Sequence, residues 1–362
     1  MMRNNLALAF LATALLAGPV HAADRTLKLV PIDLEGDGGT LYVTPEGRSV
    51  LIDVGSPAEL YGGVKNGLDG ATDGVDRIIA AARSLGVKKI DYLLITHYHA
   101  DHVGAVPELL ARFPVGTVID HGPNRQIVPD TTGRNAGKVP STVVYYAKYL
   151  EAIEGHRHVV AKAGDVFHFG SLTDTIVVAD GKVIADPLPG AGAPGTLCDT
   201  PPIAADGGIE NAMSVGSLLS FGKVKIAAFG DLTWNLEHDL VCPGNKIGHV
   251  SILLLDNHGI DVSNNPAFVA AVRPDLAVMG NGPTHGGMPQ SVKTVAESPD
   301  LQAFWKLHAS MANPDLDGNP DYIANLGPSP SHGYALMLRI AREGRVTATN
   351  TRNGFSRSYT VR

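Results

Sequence analysis

Basic blocks, cysteine and aromatic side chains are all scarce in this chain. Lys and Arg number 29 against 36 Asp and Glu, for a formal net charge of −7. No run of Lys or Arg interrupts that acidic balance, so no broad nucleic-acid-binding face is expected. Two cysteines, Cys198 and Cys242, are too few for a disulfide-dense scaffold. There is no G-x-S-x-G elbow and no Walker loop, which excludes a nucleophile-elbow hydrolase and a P-loop nucleotide site. Beyond the N-terminus no apolar run is long enough to span a bilayer. Internal repeats and low-complexity segments are also missing.

What is present is a chain able to bury a core, with 44% hydrophobic and 18% charged residues and 41 glycines for tight turns. The N-terminus reads separately. Arg3 precedes the short apolar run Leu6 to Ala17, and Val20 and Ala22 occupy the −3 and −1 positions of a cleavage site before Ala23. That order predicts a signal peptide over residues 1–22, an exported (periplasmic or secreted) protein, and a single mature domain over 23–362. Arg3 is the only charged side chain of the leader, so its removal takes the net charge from −7 to −8. In an oxidising compartment Cys198 and Cys242 are expected to pair; free thiols or metal ligands are the alternatives.

Alternating apolar runs predict strands near 27–32, 40–44 and 49–53. Val75, Ile78, Ile79 and Ala82 have helical spacing, with Gly86 as the stop. "IDYLLIT" reads as a buried strand, "GAVPELLARF" as a helix, "GTVID" as a strand and "STVVYYAKYLEAIEG" as a helix. Short strands follow near 158–160, 166–169, 175–179 and 182–184. Residues 56–74, 121–142 and 185–210 read as loops. "AMSVGSLLSF" and "KVKIAAFGD" form a hairpin, "HVSILLLDNHG" and "DLAVMGNG" are strands, and "PAFVAAVR" is a helix. Residues 290–332 read as helical and irregular, and a hairpin about Glu343-Gly344 closes the chain. Strands lead each half and helices alternate with them. The pattern predicts an α/β fold of two sheets face to face with helices on the outer faces.

The chemistry concentrates in "THYHADH". His97, His99, Asp101 and His102 follow a buried strand directly and precede a helix, the position where α/β folds present functional groups. His97 and His99 alternate and can face one cation; Asp101 and His102 can face a second. Imidazole with carboxylate suits Zn2+, Mn2+ or Fe2+. His156, His158, His168, His238, His249, His308 and His332 are expected to serve surface or core instead.

This H-x-H-x-D-H pattern resembles that of the metallo-β-lactamase-fold hydrolases. "LIDVG", "FGDLTW" and "DNHG" stand in that family's order around it, and the likeness spans most of the mature chain. Within the family, "DHVGAVPELLARFPVGTVIDHG", "ENAMSVGSLLSFGKVKIAAFGDLTW" and "NHGIDVSNNPAFVAAVRPDLAVMGNG" are most similar to the metallo-hydrolase domain of the bacterial competence DNA-uptake channel and its free-standing secreted relatives. The resemblance implies an αββα sandwich of two mixed β-sheets with the metal site along one rim.

It also implies two divalent cations, Zn2+ first among the candidates. Metal 1 is held by His97 and His99, metal 2 by Asp101, His102 and His258, and Asp231 bridges them. Asp101 is also the expected catalytic side chain. The expected activity is hydrolysis by a metal-activated hydroxide of an ester-like bond in a small-molecule or phosphoester substrate, a phosphodiester first. Lactone or β-lactam hydrolysis, or a metal-binding module without catalysis, are the alternatives. Asn211 stands where the general family places a further metal 1 histidine, and Asn257 where relatives often have a histidine. Asn211, Asn257, His121 and His285 are the candidates for further metal or substrate contact.

Overall fold

The computed structural model describes residues 25–58, 74–128, 141–204, 207–328 and 331–362. The leader expected over 1–22 lies outside the described residues, as do most of the 56–74 loop and part of the 121–142 loop. The first half of the chain builds β1 (Leu27–Pro31), β2 (Thr40–Val43), β3 (Ser49–Ile52), α1 (Gly74–Ser84) and β4 (Ile90–Leu94). It continues with α2 (Ala100–Val103), α3 (Val106–Arg112), β5 (Val115–Asp120), α4 (Ser141–Ala152) and β6 (Arg157–Val160). Next come β7 (Val166–Phe169), β8 (Leu172–Ala179), β9 (Lys182–Val183), α5 (Ile209–Ala212), β10 (Gly216–Phe221), β11 (Val224–Ala228) and α6 (Trp234–Val241). Then follow β12 (Ile252–Leu254), α7 (Pro266–Val272), β13 (Leu276–Met279), α8 (Pro289–Ala296), β14 (Ala303–His308), β15 (Ile323–Asn325), β16 (Leu336–Ile340), β17 (Arg345–Asn350) and β18 (Ser356–Thr360).

One sheet runs β18-β17-β16-β1-β2-β3-β4-β5-β6; the other runs β15-β14-β13-β12-β11-β10-β8-β7, with β9 on β8. Both are mixed: β3 through β6 and β11 through β15 pair in parallel, the remainder antiparallel. The expected αββα sandwich is the fold observed. Side-chain alternation shows why. Tyr42, Ile52 and Leu94 face the inter-sheet core with Ile226, Ile252 and Val278. Their neighbours Leu41, Leu51 and Leu93 face outward onto Ile78 of α1, Leu109 of α3 and Tyr149 of α4. On the other sheet Ala227, Leu253 and Ala277 pack outward on Leu240 of α6, Phe268 of α7 and Val292 of α8. These central strands are apolar on both faces because helices cover what the partner sheet does not.

Two segments depart from the expectation. Residues 290–332 contain α8 but also β14 and β15, which extend the second sheet. Lys306 hides β14 in the sequence: it is 3% exposed, with its ammonium donating to the Leu316 carbonyl, so a residue that reads as solvent-facing lies inside. Helix α6 follows "FGDLT", a stretch legible as a motif but not as a helix. Cys198 Sγ lies 2.07 Å from Cys242 Sγ, at disulfide distance. No described helix is long and apolar enough to cross a membrane.

The inter-sheet core carries one buried carboxyl without an ion partner. Asp174 on β8 is fully buried, receives the Ser217 hydroxyl at 2.9 Å, and has no hydrogen-bond partner at Oδ1. Burial pushes it up to about 7 from 3.8. The native state therefore keeps a proton that the unfolded chain has lost between those values, and stability falls as pH rises through that window. Asp174→Asn keeps the acceptor for Ser217 and removes the ionisation. Relative to the wild type it should be about 4 kcal/mol more favourable at pH 8 than at pH 4, measured by urea unfolding at both.

Candidate metal centre

The rim where β3, β4 and β11 end gathers side chains from four distant segments. Asp53 follows β3 in a left-handed conformation, φ 60°. Its carboxylate receives Thr96 N and the Thr96 hydroxyl, each at 2.8 Å, and His102 Nδ1 lies 2.8 Å from its Oδ2. One carboxylate thus ties the end of β3 to both sides of the histidine cluster. Close approach is built into the backbone. A Cβ on Gly38 would stand 2.7 Å from His102 Nδ1, and one on Gly230 2.7 Å from the Thr96 side chain. Gly230 precedes Asp231, so its bareness lets the end of β11 reach the cluster.

His258 arrives by a strained turn. It and Asn257 both have positive φ, 54° and 50°, which costs roughly 1–2 kcal/mol each for residues with a Cβ. The turn is pinned by Asn257 N to Gly230 O at 2.9 Å and by Gly287 N to His258 O at 3.0 Å. The strain is spent on aiming the His258 ring inward, where it is 6% exposed.

The result is convergence. Asp231 Oδ1 lies 3.2 Å from His102 Nε2 and 3.4 Å from His258 Nε2. Asp101 Oδ2 lies 3.6 and 3.7 Å from the same two nitrogens, and the nitrogens are 3.2 Å apart. On the other side, Asp231 Oδ2 is 3.9 Å from His97 Nε2, which is 3.0 Å from His99 Nδ1. Ligands about 2.0–2.1 Å from a tetrahedral cation stand about 3.4 Å from one another. The first set brackets that spacing.

The supporting hydrogen bonds fix which ring nitrogens are bare. His102 Nδ1 faces the Asp53 carboxylate, and His258 Nδ1 faces the Gly280 carbonyl at 3.1 Å. Both acceptors call for N–H on Nδ1, which leaves both Nε2 lone pairs pointing at each other and at two carboxylates. The Thr96 hydroxyl donates to Asp53, so at 3.0 Å it accepts from His97 Nδ1, and His97 Nε2 is bare as well. Lone pairs and carboxylate oxygens meeting with no donor between them repel unless a cation or protons intervene. The Asp101, His102, Asp231 and His258 set therefore fits a divalent cation, with His97 and His99 beside it.

The protonation directions agree. Burial alone would lower His102, but Asp231, Asp101 and Asp53 hold its ring well above the ordinary range, and Asp231 and Asp101 raise His258 against its own burial. Burial would raise Asp231, yet His102 and His258 outweigh it and hold the carboxyl low. His97, buried beside His102, is pushed well down.

The remaining candidates fall in different places. His285 stands at the rim, its ring 4.8 Å from that of His258, within reach of Asp37 and Asp101. Asn257 and Asn211 are buried, and their Nδ2 atoms flank Gly207. Asn211 Oδ1 has no hydrogen-bond partner. His121 does not join the cluster: it is buried 2.9 Å from Glu210 Oε1 and against the Tyr98 ring. A second group of possible ligands, Asp33, Glu35 and His308, already holds the Arg77 guanidinium at 3.2 Å from Asp33 and 3.0 Å from Glu35. That guanidinium takes the place a cation would need. A cavity of about 80 Å³ borders Asp53, His102, Asp231 and His258 and reaches between the sheets to Tyr42. Asp53, Thr96, Ser214 and Glu210 carry supporting contacts that no residue-type pattern announced. Asp53 alone had a sequence signal, as the acid closing a strand in "LIDVG".

The metallo-beta-lactamase superfamily model matches residues 36–193, a little under half of the chain. The match covers the histidine cluster and stops before Asp231 and His258. A hydroxyacylglutathione hydrolase of Aliivibrio salmonicida (strain LFI1238) is 37% identical over 68 residues, 18% of this chain and 26% of that protein. One of Stenotrophomonas maltophilia (strain R551-3) is 30% identical over 94 residues, 26% of this chain and 28% of that protein. The aligned part is thus about a quarter of each curated relative. Among solved structures, the metallo-beta-lactamase fold protein YhfI from Bacillus subtilis is 10% identical with a TM-score of 0.42, covering 86% of this chain and 99% of that one. A diphosphatase from the PhnP family is 14% identical with a TM-score of 0.40, covering 87% and 97%.

Cation binding at this rim must compete with protons. His102 and His258 have raised proton affinities, so each must lose its proton before its Nε2 can serve a metal. Affinity for Zn2+ should therefore climb as pH rises through and beyond 6.5, with net proton release. Calorimetric titration of the metal-free protein in buffers of different ionisation enthalpy measures that release directly.

Proposed function

We propose that this protein is a metal-dependent hydrolase acting on an ester-like bond, with a phosphodiester as the leading substrate class. The observation that carries the reading is the meeting of bare His102 and His258 Nε2 atoms with the Asp231 and Asp101 carboxylates within 3.2–3.7 Å. His97 and His99 would hold metal 1, Asp101, His102 and His258 metal 2, and Asp231 both. Zn2+ suits this donor set best, with Mn2+ or Fe2+ as alternatives. Bound there, a divalent pair would supply Lewis acidity and make hydroxide available near neutral pH.

The chain's own side chains do the rest. Asp53 and the Gly280 carbonyl keep the two imidazoles in the tautomer that leaves Nε2 free. Asp101, the most exposed of the cluster's acids at 26%, orients the attacking water and carries a proton at Oδ to the leaving group. His285 beside it is half-buried and held below its usual proton affinity by burial and by His258. It is a neutral ring able to contact substrate at the rim.

The phosphodiester preference is supported by the likeness to the competence-channel branch and by Asn211. A second reading, lactone or β-lactam opening, is weakened by that same asparagine, since the ring-opening families keep a histidine there. A module that binds metal without turnover is the third. Export is part of the proposal, supported by the leader-like residues 1–22 and by the Cys198–Cys242 pair.

A substrate panel separates these readings. Bis-p-nitrophenyl phosphate or single-stranded DNA turnover supports the phosphodiester reading. Turnover of nitrocefin, a lactone or a hydroxyacylglutathione redirects the substrate class. Two metals per chain by elemental analysis with no turnover on any of them favours the non-catalytic module. His102→Ala and Asp231→Ala should each lose metal and lower turnover by more than about 100-fold, the upper end of what changes behind the ligands cost. Circular dichroism should remain that of the wild type. Wild-type rates from either variant would defeat the assignment.

A further inference from the structure

We infer that Glu210 is a positioning residue for the metal 1 histidines, and that it sets how tightly that half of the site holds a divalent cation. The inference rests on the metal-hydrolase reading above. Glu210 is 0% exposed on α5, and its two oxygens serve three segments. Oε1 receives the Tyr98 amide at 3.2 Å and lies 2.9 Å from His121 Nε2; Oε2 receives the Arg125 amide at 3.1 Å.

Tyr98 is the one residue between His97 and His99. Its ring is held as firmly as its amide: the hydroxyl donates to the Gly122 carbonyl at 2.5 Å, and the rings of His121 and Tyr146 lie 4.5 Å away. With amide and side chain both fixed, the flanking histidines have little freedom, and their ring nitrogens meet at 3.0 Å. The segment that carries Glu210 runs on beside the same stretch. Val215 N donates to Thr96 O at 2.9 Å, and the Ser214 hydroxyl is 3.4 Å from His97 Nδ1.

The other half of the site is braced differently, by Asp53 behind His102 and Gly280 behind His258. Removing Glu210 therefore acts on one side. Desolvating a carboxylate is costly, and a well-packed apolar side chain would usually serve stability as well. A buried Glu that receives the amide between the two histidines, and ties it to the Arg125 amide and the His121 ring, is explained by geometry instead.

The test uses the full mature chain stripped of metal and titrated with Zn2+ by calorimetry. His97→Ala and His258→Ala assign the two binding events to metal 1 and metal 2. Glu210→Ala should weaken the metal 1 event by roughly 10–100-fold and leave the metal 2 event in place. Glu210→Gln, which keeps an oxygen for Tyr98 N, should fall between that variant and the wild type. His121→Phe removes the ring partner and should weaken the same event. If Glu210→Ala does not fold by circular dichroism, Glu210→Gln and His121→Phe decide. Unchanged metal 1 affinity in the folded variants, or equal weakening of both events, overturns the inference and leaves the hydrolase reading standing. A wild type that binds no Zn2+ overturns the hydrolase reading itself.

Discussion

Bare imidazole nitrogens and carboxylate oxygens crowd one point on the rim of the sandwich, and they repel one another unless positive charge lies between them. The rest of the site can be understood as what it takes to hold that arrangement. Asp53 and the Gly280 carbonyl dictate where the ring protons sit. Two consecutive left-handed residues, Asn257 and His258, store backbone strain to turn a ring inward. Glycines at 38 and 230 remove side chains that would keep the strand ends apart. The strained turn and the bare glycines give up local stability to keep these groups together, while Asp53 also ties Thr96 to the end of β3.

The sandwich supplies the rigidity that such crowding needs. Its central strands are buried on both faces, so their ends cannot drift without breaking packing on two sides. Side chains delivered from β3, β4, β11 and β12 therefore meet with the small tolerances that cation coordination requires. The two halves of the centre are nevertheless not braced alike. Asp53 stands behind His102 and, through Thr96, behind His97, while Glu210 holds the Tyr98 amide between His97 and His99.

Legibility in the sequence followed the distance over which each signal acts. The helix at Val75–Ala82 and the strand before His97 were readable, because periodicity is local. β14 was not, because the burial of Lys306 depends on a carbonyl ten residues away that folding brings to it. His97, His99, Asp101 and His102 stood out as a cluster. His121 had the same residue type and a similar position after a strand, yet its ring turns to Glu210 rather than to the rim.

By itself the sequence determined the fold class and half of the candidate site, since both are written in short-range patterns of apolar spacing and clustered donors. Asp231 and His258 entered through the family resemblance and not through any local pattern, and the contacts of Asp53, Thr96 and Glu210 were decided only in three dimensions. Asp231 and His258 lie well over a hundred residues from the cluster, and Asp53 some forty before it. A carboxylate reads the same on paper whether it caps a turn, meets a buried imidazole or faces solvent; the choice among these is made by the electrostatics of whatever the packed sheets bring beside it.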